Sequence, residues 1–307
     1  MIAQIANIFG YVLNFIYNVV NNYGIAIIIF SILIKLIMIP ISIKQQRTMQ
    51  KTTKIQNKMK EIQFKYKNNP EQLNVATMEL YKKENMSPFS GCFSAIVQII
   101  LLFAVFYLVK SPLTYMKKVD SDLIDKYSKI LQENNLSTNS AYPEIEIIRE
   151  IDNLKSIGNQ QDQTENVENA DNSSENQQEL KNNINEEELD SLYINMEFFG
   201  LNLAQIPINS NNWKAYIIPI LYVIIAVISL RLTNPTKKQK ENNNEEKDDM
   251  MDSMNQMNKN MNIMFPFLYL TVALVAPLGL ALYWLMNSLL MIAEKLLLNK
   301  FIKEEEE

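Results

Sequence analysis

The chain has 307 residues with 29 Lys or Arg against 34 Asp or Glu, a net charge of −5, no His and one Cys. That inventory excludes a Ser-His-Asp triad, a Cys-His pair, a disulfide framework and a zinc site, so no metal or cofactor is expected. No GxxxxGK[ST] phosphate loop occurs, which removes a built-in nucleotide motor. The mean hydropathy of −0.10 is an average of two extremes: uncharged apolar runs as long as a bilayer, and loops crowded with Lys, Glu, Asp and Asn. The runs decide the class.

Residues 1–22 come first. Ile2, Ile5, Phe9, Val12, Leu13, Ile16 and Val20 recur at intervals of three and four against Gln4, Asn7, Asn14, Asn18 and Asn21. This spacing predicts an amphipathic helix lying in the membrane interface. No Lys or Arg precedes Lys35, so the basic region of a signal peptide is missing and the segment is expected to be retained.

Residues 23–43 form a first span whose only charge is Lys35. It lies about 12 Å inside the end at Ile43, and a lysine stem covers only part of that by snorkelling. On insertion scales such a charge costs about 3 kcal/mol, so water or a partner must compensate it. Residues 44–88 then carry Lys44, Arg47, Lys51, Lys54, Lys58 and Lys60, which marks them as cytoplasmic. Ile55, Met59, Ile62 and Tyr66 face Leu73, Ala76 and Leu80 across Asn68-Asn69-Pro70, the pattern of an antiparallel helical hairpin. Lys51, Lys54, Lys58, Lys60, Lys65 and Lys67 give it a basic surface. That surface either docks a ribosome, a targeting factor or a nascent chain, or only fixes topology and touches anionic lipid.

Residues 89–110 form a second span with Ser94 and Gln98 on one face. Residues 111–213 make an acidic external loop; within it the Asn, Gln, Glu and Asp tract 156–190 is expected to be disordered. Residues 214–232 are a third span and 233–260 a cytoplasmic loop. As one helix, the apolar run from Met261 to Leu298 would measure roughly 57 Å, against a hydrocarbon core of ~30 Å, so it must fold back. Pro277-Leu278-Gly279 is the place, giving spans at 261–277 and 278–298 and an acidic cytoplasmic tail at 299–307. The reading is an all-α protein of five transmembrane helices, N-terminus outside and C-terminus cytoplasmic.

Polar side chains inside the spans gather into stripes. Ser31 lies one turn from Lys35, and Tyr283, Asn287 and Glu294 share a face of the last span. These stripes either enclose a positively charged pocket open to the cytoplasm, or glue helices together with Lys35 paired to Glu294.

The blocks IFSILIKLIMIPISIKQQRTMQ, the hairpin from Met49 to Met86, SPFSGCFSAIVQ, the FP pair and APLGLALYWLMNSL stand in an order that resembles the YidC/Oxa/Alb membrane protein insertases of the five-span Gram-positive type. The resemblance covers nearly the whole chain except 156–190. It implies a bacterial plasma-membrane insertase and chaperone without covalent chemistry. The polar segments of nascent membrane proteins would enter a hydrophilic groove open to the cytoplasm while their apolar helices slide into lipid. It assigns the groove to Lys35, Ser31, Ser94, Gln98, Tyr283, Trp284 and Asn287. It also implies the Sec translocon, the ribosome and signal-recognition targeting factors as candidate partners, membrane lipids as surroundings, and no specific nucleic acid. Departures accompany it. Lys35 stands where the family has Arg and lacks the planar fork that grips a carboxylate at two points. Ser94 and Ile100 replace common prolines, no lipobox cysteine precedes the first span, and the tail Glu304 to Glu307 is acidic. The rival readings are a secondary transporter or channel using Lys35, and a membrane scaffold that inserts nothing. The absence of an internal repeat argues against the transporter.

Overall fold

Two asparagines set how the chain begins. α1, Ile2–Val20, ends where Asn21 turns into the left-handed region at φ 50°. Asn22 then caps α2, Tyr23–Lys65, by accepting a hydrogen bond from the Ile25 amide at 3.0 Å. The computed structural model describes residues 1–67, 69–84, 90–137, 141–159, 184–233 and 270–306; the side chains of Lys54, Lys60, Ser94 and Gln98 lie outside that description.

α2 runs for 43 residues. Its portion Tyr23–Thr48 is long and apolar enough to cross a membrane, and the rest extends beyond it. Pro40 lies inside the helix and has no N–H to offer the Leu36 carbonyl. α3, Pro70–Lys83, starts at a helix-favouring proline capped by Asn69. It lies against α2, with Ile55 and Leu80 buried and Lys58 Nζ 2.8 Å from Glu84 Oε1.

α4, Ser90–Lys110, leads into a π-helical turn at Leu113–Lys117. Beyond it α5 (Ser121–Glu133), α6 (Pro143–Arg149), α7 (Ile151–Asn159) and α8 (Glu186–Leu192) form a helical lobe. Its core is apolar: Ile124, Tyr127, Ile130 and Leu131 pack with Ile145, Ile147, Ile148, Ile151, Leu154, Leu189 and Leu192. The expectation of disorder over 156–190 is therefore corrected at both ends, since 156–159 belong to α7 and 186–190 to α8. Lys155 Nζ meets Asp190 Oδ1 at 2.6 Å, Lys126 Nζ meets Glu188 Oε2 at 2.7 Å, and Tyr127 donates to Glu188 at 2.9 Å, which ties the lobe together. Residues 160–183 lie outside the described residues.

A two-residue turn at Phe199-Gly200, both at positive φ, joins β1 (Glu197–Phe198) to β2 (Leu201–Asn202). This hairpin sits on the start of α2: the Tyr23 amide donates to the Asn195 carbonyl at 3.0 Å and Asn22 Nδ2 to the Glu197 carbonyl at 2.6 Å. α9, Ile217–Thr233, follows. The predicted cytoplasmic loop 233–260 and most of the predicted fourth span lie outside the described residues. Residues 270–275 are helical, the helix breaks at Ala276-Pro277, and α10 runs Leu278–Glu306. The first amides of α10 have no intrahelical acceptor. The Leu278 amide instead donates to the Gln205 carbonyl and the Gly279 amide to the Leu203 carbonyl, both at 2.9 Å.

Among the described residues three helical segments are long and apolar enough to cross a membrane: Ile2–Val20, Tyr23–Thr48 and Leu278–Leu298; Ile99–Lys110 and Trp213–Ser229 are shorter apolar helices. The chain is thus an all-α membrane protein bearing one small hairpin. In α1 the protein-facing residues are Ala6, Gly10, Leu13, Ile16 and Tyr17, while Ile8, Tyr11, Phe15 and Val19 are exposed, so apolar residues occupy more than the one stripe read from the sequence.

The bundle is packed unevenly. On α2 buried residues recur from Tyr23 to Ser31, and none is buried from Ile32 to Thr48. Every residue from Ala276 to Leu285 is buried, whereas from Leu289 to Leu297 none is. Among the described side chains of α4, in 96–110 without 98, the buried ones are Ala104, Val105, Leu108 and Val109. The helices are tightly joined on the side of the lobe and hairpin and loosely joined on the other.

Candidate functional site

Lys35 is one turn beyond Ser31, the last buried residue of α2 before Thr48, and so stands where tight packing gives way. It is not a lone charge. Its Nζ lies 2.6 Å from Glu294 Oε2 on α10, with the two side chains 21% and 13% exposed. The second carboxylate oxygen, Glu294 Oε1, is buried and has no hydrogen-bond partner among the described residues. Of the two arrangements open in the sequence, Lys35 is thus found paired with Glu294.

The pair sits in the wall of a cavity of about 450 Å³ between α2 and α10. α2 contributes Ile32, Lys35, Leu36, Ile39, Ile43 and Arg47, a stripe at intervals of three and four; α10 contributes Leu290, Ala293, Glu294, Leu297 and Leu298 in the same rhythm. Apart from Lys35, Glu294 and Arg47 the lining is apolar. A segment entering here meets apolar walls with one acid and one base midway and a guanidinium further along α2 toward the chain's basic region. Such a wall can hold an apolar chain and can offer a carboxylate or a hydrogen-bond donor one partner each.

The other residues singled out in the sequence take different places. Ser31 is buried and donates to the Ile27 carbonyl at 2.7 Å, a bond within its own helix. Tyr283 and Trp284 are buried, with the Trp284 ring 6.1 Å from that of Tyr222 on α9, and Asn287 is half-buried. None of these four lines the cavity. Of the basic residues proposed for docking, Lys51 and Lys67 are exposed, Lys58 pairs with Glu84, and Lys65 lies 5.3 Å from the centre of the Tyr66 ring. Arg47 enters the cavity wall although its sequence context marked it only as a topology signal; twelve residues is about a third of a turn more than three helical turns, so its spacing from Lys35 gave no clue.

A second polar site holds the far end shut. Glu144 of α6 is buried and accepts from the Thr114 amide at 3.0 Å and the Thr114 hydroxyl at 2.6 Å, at the start of the π-helical turn. Burial pushes its carboxyl above the ordinary range, while the donors from Thr114, Leu113 and Ser111 pull the other way. Nearby, Ser137 donates to the buried Glu146 at 2.6 Å, with the Arg149 guanidinium 3.5 Å away.

Apolar helices closed at one end, parting at the other around an ion pair, define an integral membrane protein that carries its polar groups between helices. Residues 15–306 match the model of the family described as 60Kd inner membrane protein, and the chain belongs to that family. It is similar to proteins named membrane protein insertase YidC from Caldanaerobacter subterraneus (37% identical over 109 residues, 36% of this chain and 53% of that protein) and Fusobacterium nucleatum (40% over 102 residues, 33% and 50%). Another so named, from Clostridium perfringens, is 42% identical over 93 residues, 30% of this chain and 39% of that protein. The chain spans about half the length, or less, of these curated relatives.

Proposed function

We propose that this chain is a membrane protein insertase and chaperone of the bacterial plasma membrane, acting without covalent chemistry. The observation that carries the reading is the uneven packing of α2, α4 and α10: buried contacts toward the lobe, and a cavity with the Lys35–Glu294 pair where the contacts thin out. The names of the relatives agree with it. In this reading the tight end faces outside and the loose end faces the cytoplasm. A client's polar segment enters between α2 and α10, is met by the pair, and crosses a shortened barrier while its apolar helix passes sideways into lipid. The membrane potential, worth about 2.3 kcal/mol per charge per 100 mV, adds drive for acidic segments.

The proposed topology has spans at 23–43, 89–110, 214–232, 261–277 and 278–298, with the N-terminus outside. Residues 1–22 lie in the outer interface rather than crossing. Lys117 over Tyr17 and Lys118 over Tyr11, with Lys118 also donating to Asn7, support this, because those ammonium groups would otherwise be held along a helix buried in hydrocarbon. α2 beyond Thr48 together with α3 forms the cytoplasmic hairpin that recruits nascent chains, with the ribosome, targeting factors and the Sec translocon as candidate partners. Gln98, Ser94, Tyr283, Trp284 and Asn287 are assigned to the groove by resemblance.

The test is complementation of a host depleted of its own insertase. The wild-type chain restores growth, Lys35→Arg retains it and Lys35→Ala loses it; short nascent membrane proteins crosslink to a photoreactive group at Gln98. Equal rescue by Lys35→Arg and Lys35→Ala removes the charge from the mechanism, and no rescue by the wild type favours a scaffold.

A further inference from the structure

We infer that Glu294 is an exchangeable resident counterion, and that it sets which client segments the groove accepts: acidic clients replace it at Lys35, while neutral polar ones bond to it. The inference rests on the groove reading above. Three observations meet at this residue. Glu294 Oε2 pairs with Lys35 at 2.6 Å, Glu294 Oε1 is buried with no hydrogen-bond partner among the described residues, and both groups line a cavity of about 450 Å³.

The physical argument concerns what each arriving group must displace. A lone buried ammonium favours carboxylates over all else, because only they neutralise it. Here that place is already taken by a carboxylate of the protein. An incoming Asp or Glu therefore exchanges like for like: Lys35 changes partner, and the released Glu294, still partly exposed at 13%, takes up water or a proton from the open side. The gain from the new pair is largely cancelled by the loss of the old one. A hydroxyl, amide or amine on a client leaves the pair intact: once the apolar side chains covering Oε1 part, it donates to that idle oxygen. The resident acid thus lowers the preference for acidic segments and adds an acceptor that a bare cation lacks. It also keeps the loose half of the bundle from carrying an uncompensated charge between clients.

The experiment uses the full chain in the insertase-depleted host with one single-span reporter whose external tail carries Asp, Asn or Lys at the same position. The wild type is expected to insert the Asp and Asn tails with similar efficiency. Glu294→Gln leaves Lys35 without its resident counterion and raises the Asp-to-Asn insertion ratio by about five-fold or more. An unchanged ratio in a Glu294→Gln protein that accumulates normally overturns the exchange. Failure of the wild type to insert any reporter, or indifference of every reporter to Lys35→Ala, overturns the groove reading instead. A measurement without any substitution covers the case in which Glu294→Gln does not accumulate. A water-soluble carbodiimide couples Lys35 to Glu294 as an amide in resting membranes. A stalled client with the Asp tail suppresses that product and yields a Lys35–client amide, while one with the Asn tail leaves it intact. Persistence of the internal amide beside a bound acidic client refutes the proposal.

Discussion

Gly10→Ala tests the contact between α1 and the π-helical turn. A Cβ built on Gly10 would lie 1.8 Å from the Tyr115 carbonyl oxygen and 2.5 Å from its carbon. An ordinary carbon–oxygen contact begins near 3.3 Å, so α1 or the turn must retreat by roughly 1.5 Å. The obstacle is backbone, held from the far side by Glu144 through the Thr114 amide, and cannot swing aside. Overpacking of this kind costs about 1–3 kcal/mol, and the rigid neighbour places this case at the upper end. On an unobstructed helix the same change would instead stabilise by about 0.5–1 kcal/mol, so even the sign is informative. Detergent-solubilised protein, followed by intrinsic fluorescence on heating, is expected to melt at least about 4 °C lower than wild type. Gly24→Ala is the comparison. There the obstructing atoms are Phe198 Cδ2, Cγ and Cβ at 2.3, 2.5 and 2.9 Å; the ring can rotate while Cβ stays, so part of the obstruction is relieved and the loss is expected to be smaller than at Gly10. A Gly10→Ala protein that melts at or above the wild-type temperature refutes the close approach.

Asn22→Ala removes both the α2 cap and the bond to the Glu197 carbonyl, and is expected to destabilise by about 1–2 kcal/mol, read from the same melting curves. Replacing 160–183 with a short Gly/Ser linker is expected to leave the lobe folded. The two ends already meet, Gly158 against Ile184 and Lys155 against Asp190, and an about six-fold shorter loop gains roughly 1.5 kcal/mol of closure entropy; loss of the helical signal of the lobe on deletion would contradict this. Glu144 has a raised carboxyl in the folded protein, so the native state binds its proton more readily than the unfolded chain. Its contribution is fully present below the unfolded value of about 4.3 and is lost as pH rises through the raised one. Wild type should therefore gain stability relative to Glu144→Gln on acidification from neutral pH, and parallel pH curves for the two proteins would exclude the effect.

What could be read from the sequence depended on whether a signal is local. Lys35 is legible because one charge in an uncharged window needs no partner to be noticed, and the break at Pro277 because a helix cannot run on past the bilayer. The ion pair is different. The polar stripe of the last span offers Glu294 as a partner, but the two residues lie at opposite ends of the chain, and spacing within either helix does not decide between that pair and an open charged pocket. The lobe did not stand out: Ile124, Tyr127, Ile130 and Leu131 repeat at helical intervals, but the acidic tract beside them dominates the composition of the segment. Gly10 gave no signal, since a close approach between backbones leaves only an absent side chain to read.

The two ends of the bundle are held by different chemistry, and this bears on which one can open. At the lobe end the joints are hydrogen bonds from backbone amides: Leu278 and Gly279 to the Gln205 and Leu203 carbonyls, Tyr23 to the Asn195 carbonyl, and Thr114 to the Glu144 carboxylate. Parting them in a lipid environment would orphan amides and carbonyls at a cost of several kcal/mol each. At the other end α2 and α10 meet through apolar side chains and one ion pair. Acyl chains are as apolar as leucine, so lipid or a client helix can replace the side-chain contacts at little cost, and a client carboxylate can replace Glu294. A thermal or ligand-driven opening should therefore begin at Lys35 and stop at Ser31, where the buried residues start. Disulfide trapping measures this directly: cysteines at Leu36 and Leu297 should block insertion once joined and release it on reduction, whereas cysteines at Tyr23 and Gly279, which face each other across the tight end, should leave insertion unchanged.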